Sequence, residues 1–382
     1  MMWDFPHWAD GRRDMRKTDD TMTFRQFLLA CCVSVFSPMS RLLPHAPVRI
    51  AGFSGWLAPL FAVPLLLFLL LTMHRLLTLD GRTVGLAEAL ELRLGRIPGK
   101  VLTGLIAAWL VFYGGFLLRS GAERLLSTVY HAGRLWFFLP VLMLLSAIFA
   151  MGKLRWAGRS AALSFLFTGS ALLLTMTLAI PAIRRENIWP PEYARTGEIM
   201  LASLPVADVL SPWVYFTFLR GGVIKDGRSL RRGIRAILVM LGLAMLFLAA
   251  VIGVMGAELS VRQQFPFFIM LKNLTLFNVV ERFDALVLAV WMLTDYVCIG
   301  MTLLSASEGF REVFSVRKRN FCVPICALVM MAVSFVIAYN AFSLEIISDM
   351  IVPEINLGIV FFLLPAVSLF PEKNLKKLKN RC

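Results

Sequence analysis

Residues 56–77 read WLAPLFAVPLLLFLLLTMHRLL, an apolar run whose basic residues, His74 and Arg75, come only near its end. A helix of about 20 apolar residues is long enough to cross the hydrocarbon layer of a bilayer, which is roughly 30 Å thick. Residues 234–257 form a second run of this kind. These stretches predict helices that span a membrane.

The composition of the whole chain agrees with a membrane protein. The 382 residues are 58% apolar and 16% charged, with a mean hydropathy of +0.74, whereas soluble domains carry about 25% charged residues. The net charge of +15 does not indicate nucleic-acid binding, because the basic residues lie at the ends of apolar runs and not on one soluble face. The six cysteines lack the spacing of a disulfide framework or a metal site, and we interpret them as packing residues.

Ten apolar segments follow one another along the chain, and we name them spans one to ten. They cover residues 24–43, 56–77, 101–118, 135–151, 161–183, 199–219, 234–257, 285–306, 321–341 and 350–370. The sequence therefore predicts an all-α integral membrane fold of ten transmembrane helices. No connection is long enough for a separate soluble domain, so we expect one permease-like domain over residues 23–370.

The distribution of basic residues predicts the orientation. If the N-terminus is cytoplasmic, 28 of the 39 Lys and Arg residues lie on the cytoplasmic side, as the positive-inside rule requires. Residues 1–22 then form a cytoplasmic N-terminal segment, which lacks the apolar core of a signal peptide. Residues 371–382 form a basic cytoplasmic tail, so both termini are expected inside.

Spans one and six each contain proline and small polar residues at membrane depth. The residues at these points are Ser37, Pro38 and Met39 in span one and Pro205, Asp208 and Ser211 in span six. The pattern Val-x-Ser-Pro occurs once in each half of the chain, which suggests a five-plus-five repeat. Interrupted helices at matching places in two halves indicate a transporter-like site at the midplane. The alternative is a proline kink in each of two ordinary helices.

Span eight carries a polar stripe along one helical face. Its members are Trp291, Asp295, Cys298, Thr302 and Ser305. Asp295 is expected near the midplane, where a carboxylate costs roughly 3 kcal/mol and must be paired, hydrated or protonated. It could titrate a proton, bind a cation, meet a ligand ammonium group or form a structural hydrogen bond to a neighbouring helix.

Two further residues are candidates for ligand contact. Asp208 either caps the half-helix that leaves span six or meets the ligand. Tyr113 lies on an aromatic stripe of span three with Trp109 and Phe116, beside Gly114 and Gly115; such a stripe serves in packing or as a pocket wall. The ligand-binding candidates are thus Ser37, Pro38, Met39, Tyr113, Pro205, Asp208 and Ser211, and the ion- or proton-coupling candidates are Asp295, Thr302 and Ser305.

Catalysis is not expected. The sequence contains no phosphate loop, catalytic triad pattern or zinc-binding His-Glu-x-x-His motif. We therefore expect neither an enzyme nor a cofactor.

Several blocks of sequence resemble the spore germination permease family, the B subunits of endospore germinant receptors within the amino acid–polyamine–organocation superfamily. The blocks are Leu42-Leu43-Pro44 with residues 51–56 (AGFSGW), residues 152–159 (GKLRWAGR), the passage from Pro205 to Ser211-Pro212, and Phe265-Pro266 with residues 280–286 (VERFDAL) and Trp291. Ser37 stands where the family commonly has a glycine.

The resemblance implies a LeuT-like inverted-repeat fold with discontinuous helices one and six, in the spore inner membrane. It also implies a receptor subunit that detects a small germinant, often an amino acid, together with an A-type subunit and a lipoprotein C-type subunit. Competing hypotheses are a proton- or sodium-coupled amino acid permease and a scaffold whose cavity binds nothing.

Overall fold

A computed structural model describes residues 20–79, 81–128, 130, 133–189, 196–273 and 283–371. The predicted N-terminal segment, 1–22, and the predicted tail, 371–382, fall almost wholly outside these ranges. Their placement therefore remains a prediction.

Helices form nearly all of the described structure. In the order of spans one to ten, they run Phe24–Leu42, Ala58–Leu77, Arg96–Thr128, Leu135–Met151, Leu154–Ala179, Thr196–Leu210 with a 3₁₀ continuation Pro212–Gly222, Ser229–Met255, Phe283–Val313, Cys322–Val336 and Ala341–Leu369. Shorter helices lie between them at Ala46–Ala51, Leu86–Leu94, Ala257–Arg262 and Pro266–Asn273, with 3₁₀ turns at Gly52–Leu57, Ile180–Ala182, Arg185–Asn187 and Arg319–Phe321. Strand Thr78–Leu79 pairs antiparallel with Arg82–Thr83, and span ten contains π-helical turns at Ile347–Ile351 and Gly358–Leu363.

Each predicted span coincides with a helix, and eight of the helices are long and apolar enough to cross a membrane. The other two are Phe24–Leu42, which carries Arg25 and Arg41 near its ends, and Leu135–Met151, which has 17 residues. The all-helical membrane fold is therefore confirmed, whereas the number of ten crossings stays a prediction.

Local sequence explains where individual spans begin and end. Span one starts with a capping box, in which the Thr23 side chain accepts from the Gln26 backbone and the Gln26 side chain accepts from the Thr23 backbone. Span seven ends at Gly256, whose φ of 79° is a left-handed conformation that favours glycine.

Spans three, six and eight are more buried than the other five of these eight helices, so they form the centre of the bundle. Span nine packs closely on span three because span three presents glycine. A Cβ at Gly115 would lie 2.8 Å from the carbonyl oxygen of Met330, and one at Gly114 would lie 2.7 Å from the Met330 sulfur. The two glycines therefore allow the backbones of spans three and nine to approach closely.

Spans one and six differ in how they accommodate proline. Span six is interrupted as predicted: its α-helix ends at Leu210 and a 3₁₀ helix begins at Pro212. Span one has no such interruption among residues 24–42, because the α-helix continues through Pro38 to Leu42. Proline there only removes the N–H that would bond to the carbonyl of Ser34, and a helix tolerates that loss when neighbouring groups compensate. The predicted discontinuity of helix one is corrected accordingly.

Candidate functional site

A buried ion pair joins spans three and eight in the bundle. The guanidinium of Arg124 binds the carboxylate of Asp295, and the two side chains are 3% and 6% exposed. Ser37 of span one contacts both partners: its hydroxyl donates to Asp295 and accepts from Nη2 of Arg124 at 3.0 Å. The Arg124 Nη1 atom also approaches the Ser37 carbonyl at 3.4 Å. Three spans therefore meet at one charged cluster.

The approach of the two helices depends on Gly121, one helical turn before Arg124. A Cβ at position 121 would lie 2.9 Å from the Oδ2 atom of Asp295, closer than real Cβ contacts allow. Glycine therefore makes room for the carboxylate against the backbone of span three.

Trp291 closes the other side of the pair, about one turn before Asp295 on span eight. The Arg124 guanidinium carbon lies 4.7 Å from the centre of the indole ring, a cation–π contact. The indole N–H donates to the Ser40 hydroxyl of span one at 3.0 Å. The guanidinium thus has a carboxylate, a hydroxyl and an aromatic face around it, which is the arrangement that a charge needs inside a protein.

A second guanidinium lies next to the pair. Arg41 donates to the Ser120 hydroxyl at 2.6 Å, and its guanidinium carbon is 5.5 Å from the centre of the Phe116 ring. A small cavity separates Arg41 from Arg124, with Ser37, Pro38 and Gly121 in its wall. On this side, the charged cluster therefore borders open space.

A larger cavity, of about 440 Å³ including the part open to the outside, adjoins it on the side of the bundle where spans one and three end. The residues that line it are Arg41, Leu42, His45, Ser120, Glu123, Gln264, Phe265, Ala341, Leu344, Glu345 and Asp349. Acidic and basic groups face one another here, so the cavity suits a polar or zwitterionic molecule. We call it the outer cavity, after the predicted orientation.

His45 follows the end of span one in the wall of the outer cavity. Its Nε2 atom lies 3.2 Å from the carbonyl oxygen of Gln264, and its Nδ1 atom is buried without a partner in the described residues. Burial lowers the pKa of His45. The fold therefore favours the neutral imidazole, which donates from Nε2.

Asp208 belongs to a different polar cluster, between spans three, six and ten. It is 4% exposed and lies beside the side chain of Asn356, while its Oδ1 atom has no partner in the described part of the chain. The Asn356 amide oxygen accepts from Trp109 Nε1 at 3.0 Å and from the Tyr215 hydroxyl at 2.9 Å. The cap role considered for Asp208 is not realised, since Asp208 lies inside the α-helix that continues to Leu210 and the residue before the 3₁₀ helix is Ser211.

Tyr113 lies between the two clusters on the buried face of span three. Its ring stacks between Trp109 and Phe116, with centroid distances of 6.3 Å and 6.2 Å. The aromatic stripe therefore connects the Asn356 cluster to the Phe116 ring beneath Arg41.

The structure brings together some of the predicted site residues and separates others. Ser37 and Asp295 are in direct contact, and Pro38 borders the same cavity, whereas Met39 faces an apolar groove between spans one, five and seven. In span six, Pro205 lies inside the α-helix. The Ser211 hydroxyl there donates to the Asp208 carbonyl at 3.0 Å.

The two hydroxyl residues predicted for ion coupling lie further along span eight. Thr302 donates to the Cys298 carbonyl of its own helix at 2.8 Å. Ser305 is fully buried, and its hydroxyl has no partner among the described residues. Because Ser305 is ten residues beyond Asp295, about 15 Å along the helix, it forms no single site with the pair.

Arg124 and Asn356 were not recognised from the sequence. The hydropathy of span three falls off after Leu118, but its helix continues to Thr128. Tyr113, Leu117, Ser120 and Arg124 follow helical spacing, so extending the aromatic stripe past the apolar run would have placed Arg124 on the buried face.

Comparisons with known proteins agree with this architecture. The family model described as "Spore germination protein" matches residues 26–342. No curated protein sequence matches the chain significantly.

Two solved structures have a similar fold. Mhp1, a nucleobase-cation-symport-1 family transporter in a closed conformation with bromovinylhydantoin bound, has a TM-score of 0.60 at 12% identity, over 91% of this chain and 79% of that one. A Na⁺-coupled sialic acid symporter in a substrate-bound outward-open state has a TM-score of 0.54 at 12% identity, over 89% of this chain and 77% of that one. Both likenesses concern the fold, which is that of the LeuT-like transporters. With its match over residues 26–342, the chain belongs to the spore germination permease family.

Proposed function

We propose that the protein is the membrane subunit of a spore germinant receptor, which binds a small germinant, an amino acid, in its permease-like bundle. The observation that carries the proposal is the buried pair of Arg124 and Asp295 beside the outer cavity. An amino acid carries the same two charges, so its carboxylate can bind Arg124 while its ammonium group binds Asp295.

The energetics of the pair favour a ligand with both charges. Removing one partner from a buried pair costs about 3–5 kcal/mol, because the other charge is left without compensation. A ligand with one charge would separate the pair and leave such a charge behind. A zwitterion replaces both partners at once, so it can enter without that penalty.

Binding then acts as a conformational signal. Ser37 connects span one to the pair and Ser40 connects it to Trp291, so a ligand between Arg124 and Asp295 favours a state in which span one is released. A ligand shifts such an equilibrium only by its difference in affinity for the two states. We propose that A-type and C-type subunits receive this signal in the spore inner membrane, with both termini of this chain cytoplasmic and no catalytic step involved.

A second candidate function is a proton- or sodium-coupled amino acid permease. Its support is the fold shared with cation-coupled symporters and the buried Ser305 hydroxyl without a partner. Asp295, Thr302 and Ser305 are the candidate coupling residues in that case.

Deletion of the gene tests the receptor proposal. Spores without the protein should lose their response to at least one amino acid in a germinant panel and keep their response to nutrient-independent triggers. If they answer every germinant as the parent does, the receptor proposal is wrong.

Purified protein in proteoliposomes separates the two candidates. A receptor should bind the amino acid identified by the panel without net uptake of the labelled compound. Uptake that depends on a sodium or proton gradient would instead support the permease.

A further inference from the structure

An apolar cavity lies at the opposite end of the bundle from the outer cavity. It occupies about 750 Å³, including the part open to the outside, between spans one, two, six and seven. The main residues of its wall are Phe27, Leu70, Met73, Trp213, Ile237 and Met240. A cavity with this lining is suited to a hydrocarbon chain.

The cavity continues towards the middle of the bundle. Cys32 and Met240 line it and also line the apolar groove that contains Val35 and Met39. From Phe24 to Met39, span one advances about 22 Å along its axis. One leaflet of hydrocarbon is about 15 Å thick, so the path along span one is long enough for an acyl chain.

A buried cation lies where this path begins, beside Phe24 at the predicted cytoplasmic end of span one. Arg220 lines the cavity and is only 5% exposed. Its guanidinium makes one hydrogen bond, from Nη1 to the Val223 carbonyl at 3.1 Å, and lies 5.0 Å from the centre of the Phe24 ring. Among the described residues, no carboxylate is within ion-pair distance of Arg220, since Asp226 acts on it only from further away and pairs with Arg232. A buried guanidinium without an anion is unfavourable.

The surrounding surface attracts anions. His74 borders the cavity, and Lys225, Arg228 and Arg231 are exposed at the same end of the bundle. Basic clusters between spans at a membrane surface bind anionic headgroups, and each basic residue contributes about 1 kcal/mol.

We propose that this cavity binds an anionic phospholipid of the surrounding membrane. The phosphate lies at Arg220, and one acyl chain follows the groove along span one. The phosphate supplies the ion-pair partner that Arg220 lacks among the described residues, and the acyl chain fills the space between spans one, two, six and seven. This site is separate from the proposed germinant site, and its test does not depend on germination.

Native mass spectrometry of the purified full chain in neutral detergent tests the site. We expect the protein to retain one dioleoyl phosphatidylglycerol molecule more tightly than dioleoyl phosphatidylcholine, which has the same chains. Arg220→Gln should lower the affinity for phosphatidylglycerol about fivefold, the value of one basic residue near a headgroup, and leave that for phosphatidylcholine unchanged. Arg262→Gln removes the same charge from the exposed surface at the opposite end of the bundle and is the control, with less than a twofold effect.

A cavity-filling variant provides an independent test if Arg220→Gln fails to fold. Ala236 lines the cavity, and Ala236→Phe should remove the bound phospholipid while the lipid-free protein keeps its thermal stability. Equal affinity for the two lipids would show an apolar site without headgroup recognition and would overturn the proposal. Displacement of the lipid by glycerol phosphate alone would show a site for a soluble anion and would also overturn it, as would unchanged lipid retention in either variant.

Discussion

The charged cluster predicts that Arg124 and Asp295 depend on each other for stability. Asp295→Asn leaves Arg124, a residue that is 2% exposed, without its carboxylate partner. Loss of one partner in a buried pair costs about 3–5 kcal/mol. Arg124 keeps its contact with Trp291, which is worth about 2 kcal/mol when desolvated. We therefore expect a loss at the lower end, about 3 kcal/mol in the free energy of unfolding.

The double variant Arg124→Gln/Asp295→Asn removes both charges and should recover most of this loss, with a coupling energy of about 2–3 kcal/mol. The measurement is unfolding in mixed detergent micelles, followed by tryptophan fluorescence. Asp226→Asn is the control, because its pair with Arg232 is also Arg–Asp but is partly exposed and should contribute about 1 kcal/mol or less. Additive effects of the two single changes, or a loss equal to that of the control, would refute the mutual dependence.

Three further changes test the surroundings of the pair. Gly121→Ala should lower the free energy of unfolding by about 1–3 kcal/mol in the same assay, because its Cβ would meet the paired carboxylate. Gly242→Ala is the control and should cost nothing, since the space around Gly242 is open. Equal effects of the two changes would contradict the steric argument. Because burial lowers the pKa of His45, the unfolded chain takes up the proton first, and the stability of the fold decreases as the pH drops below about 6.5. His45→Gln should reduce this decrease in unfolding temperatures measured from about pH 8 to pH 5. An unchanged pH profile would exclude His45 as the source of the decrease. Asn356→Leu leaves two buried donors without their acceptor. It should therefore destabilise the protein more than Trp109→Phe, which removes one hydrogen bond worth about 1 kcal/mol. The reverse order in thermal unfolding would show that the Asn356 amide is not the centre of this cluster.

Hydropathy alone located the spans but underestimated some of them. Span three was predicted for residues 101–118 and its helix runs Arg96–Thr128. Charged residues end an apolar run in a hydropathy profile, but a helix continues through them when they face the protein interior. Arg124 therefore fell beyond the predicted end of span three, and because its partner Asp295 is 171 residues away, no local pattern reveals the pair.

Spans one and six show a similar limit of prediction from local sequence. In both, Ser-Pro follows an apolar residue, yet span six changes its helix type there and span one does not. The local sequence is nearly the same, so the difference arises from packing. In span one, Arg124 of span three lies within hydrogen-bond distance of the carbonyl of Ser37, the residue before the proline, and this contact is not part of the local sequence.

The 3₁₀ half of span six has a mechanical consequence. Its 11 residues rise about 2.0 Å each, against about 1.5 Å in an α-helix. Conversion to α-helix would shorten this half by about 5 Å and rotate its buried side chains, including Tyr215, out of register with Asn356. A change of helix type in span six would therefore alter its length and draw the loop after Gly222 towards the membrane.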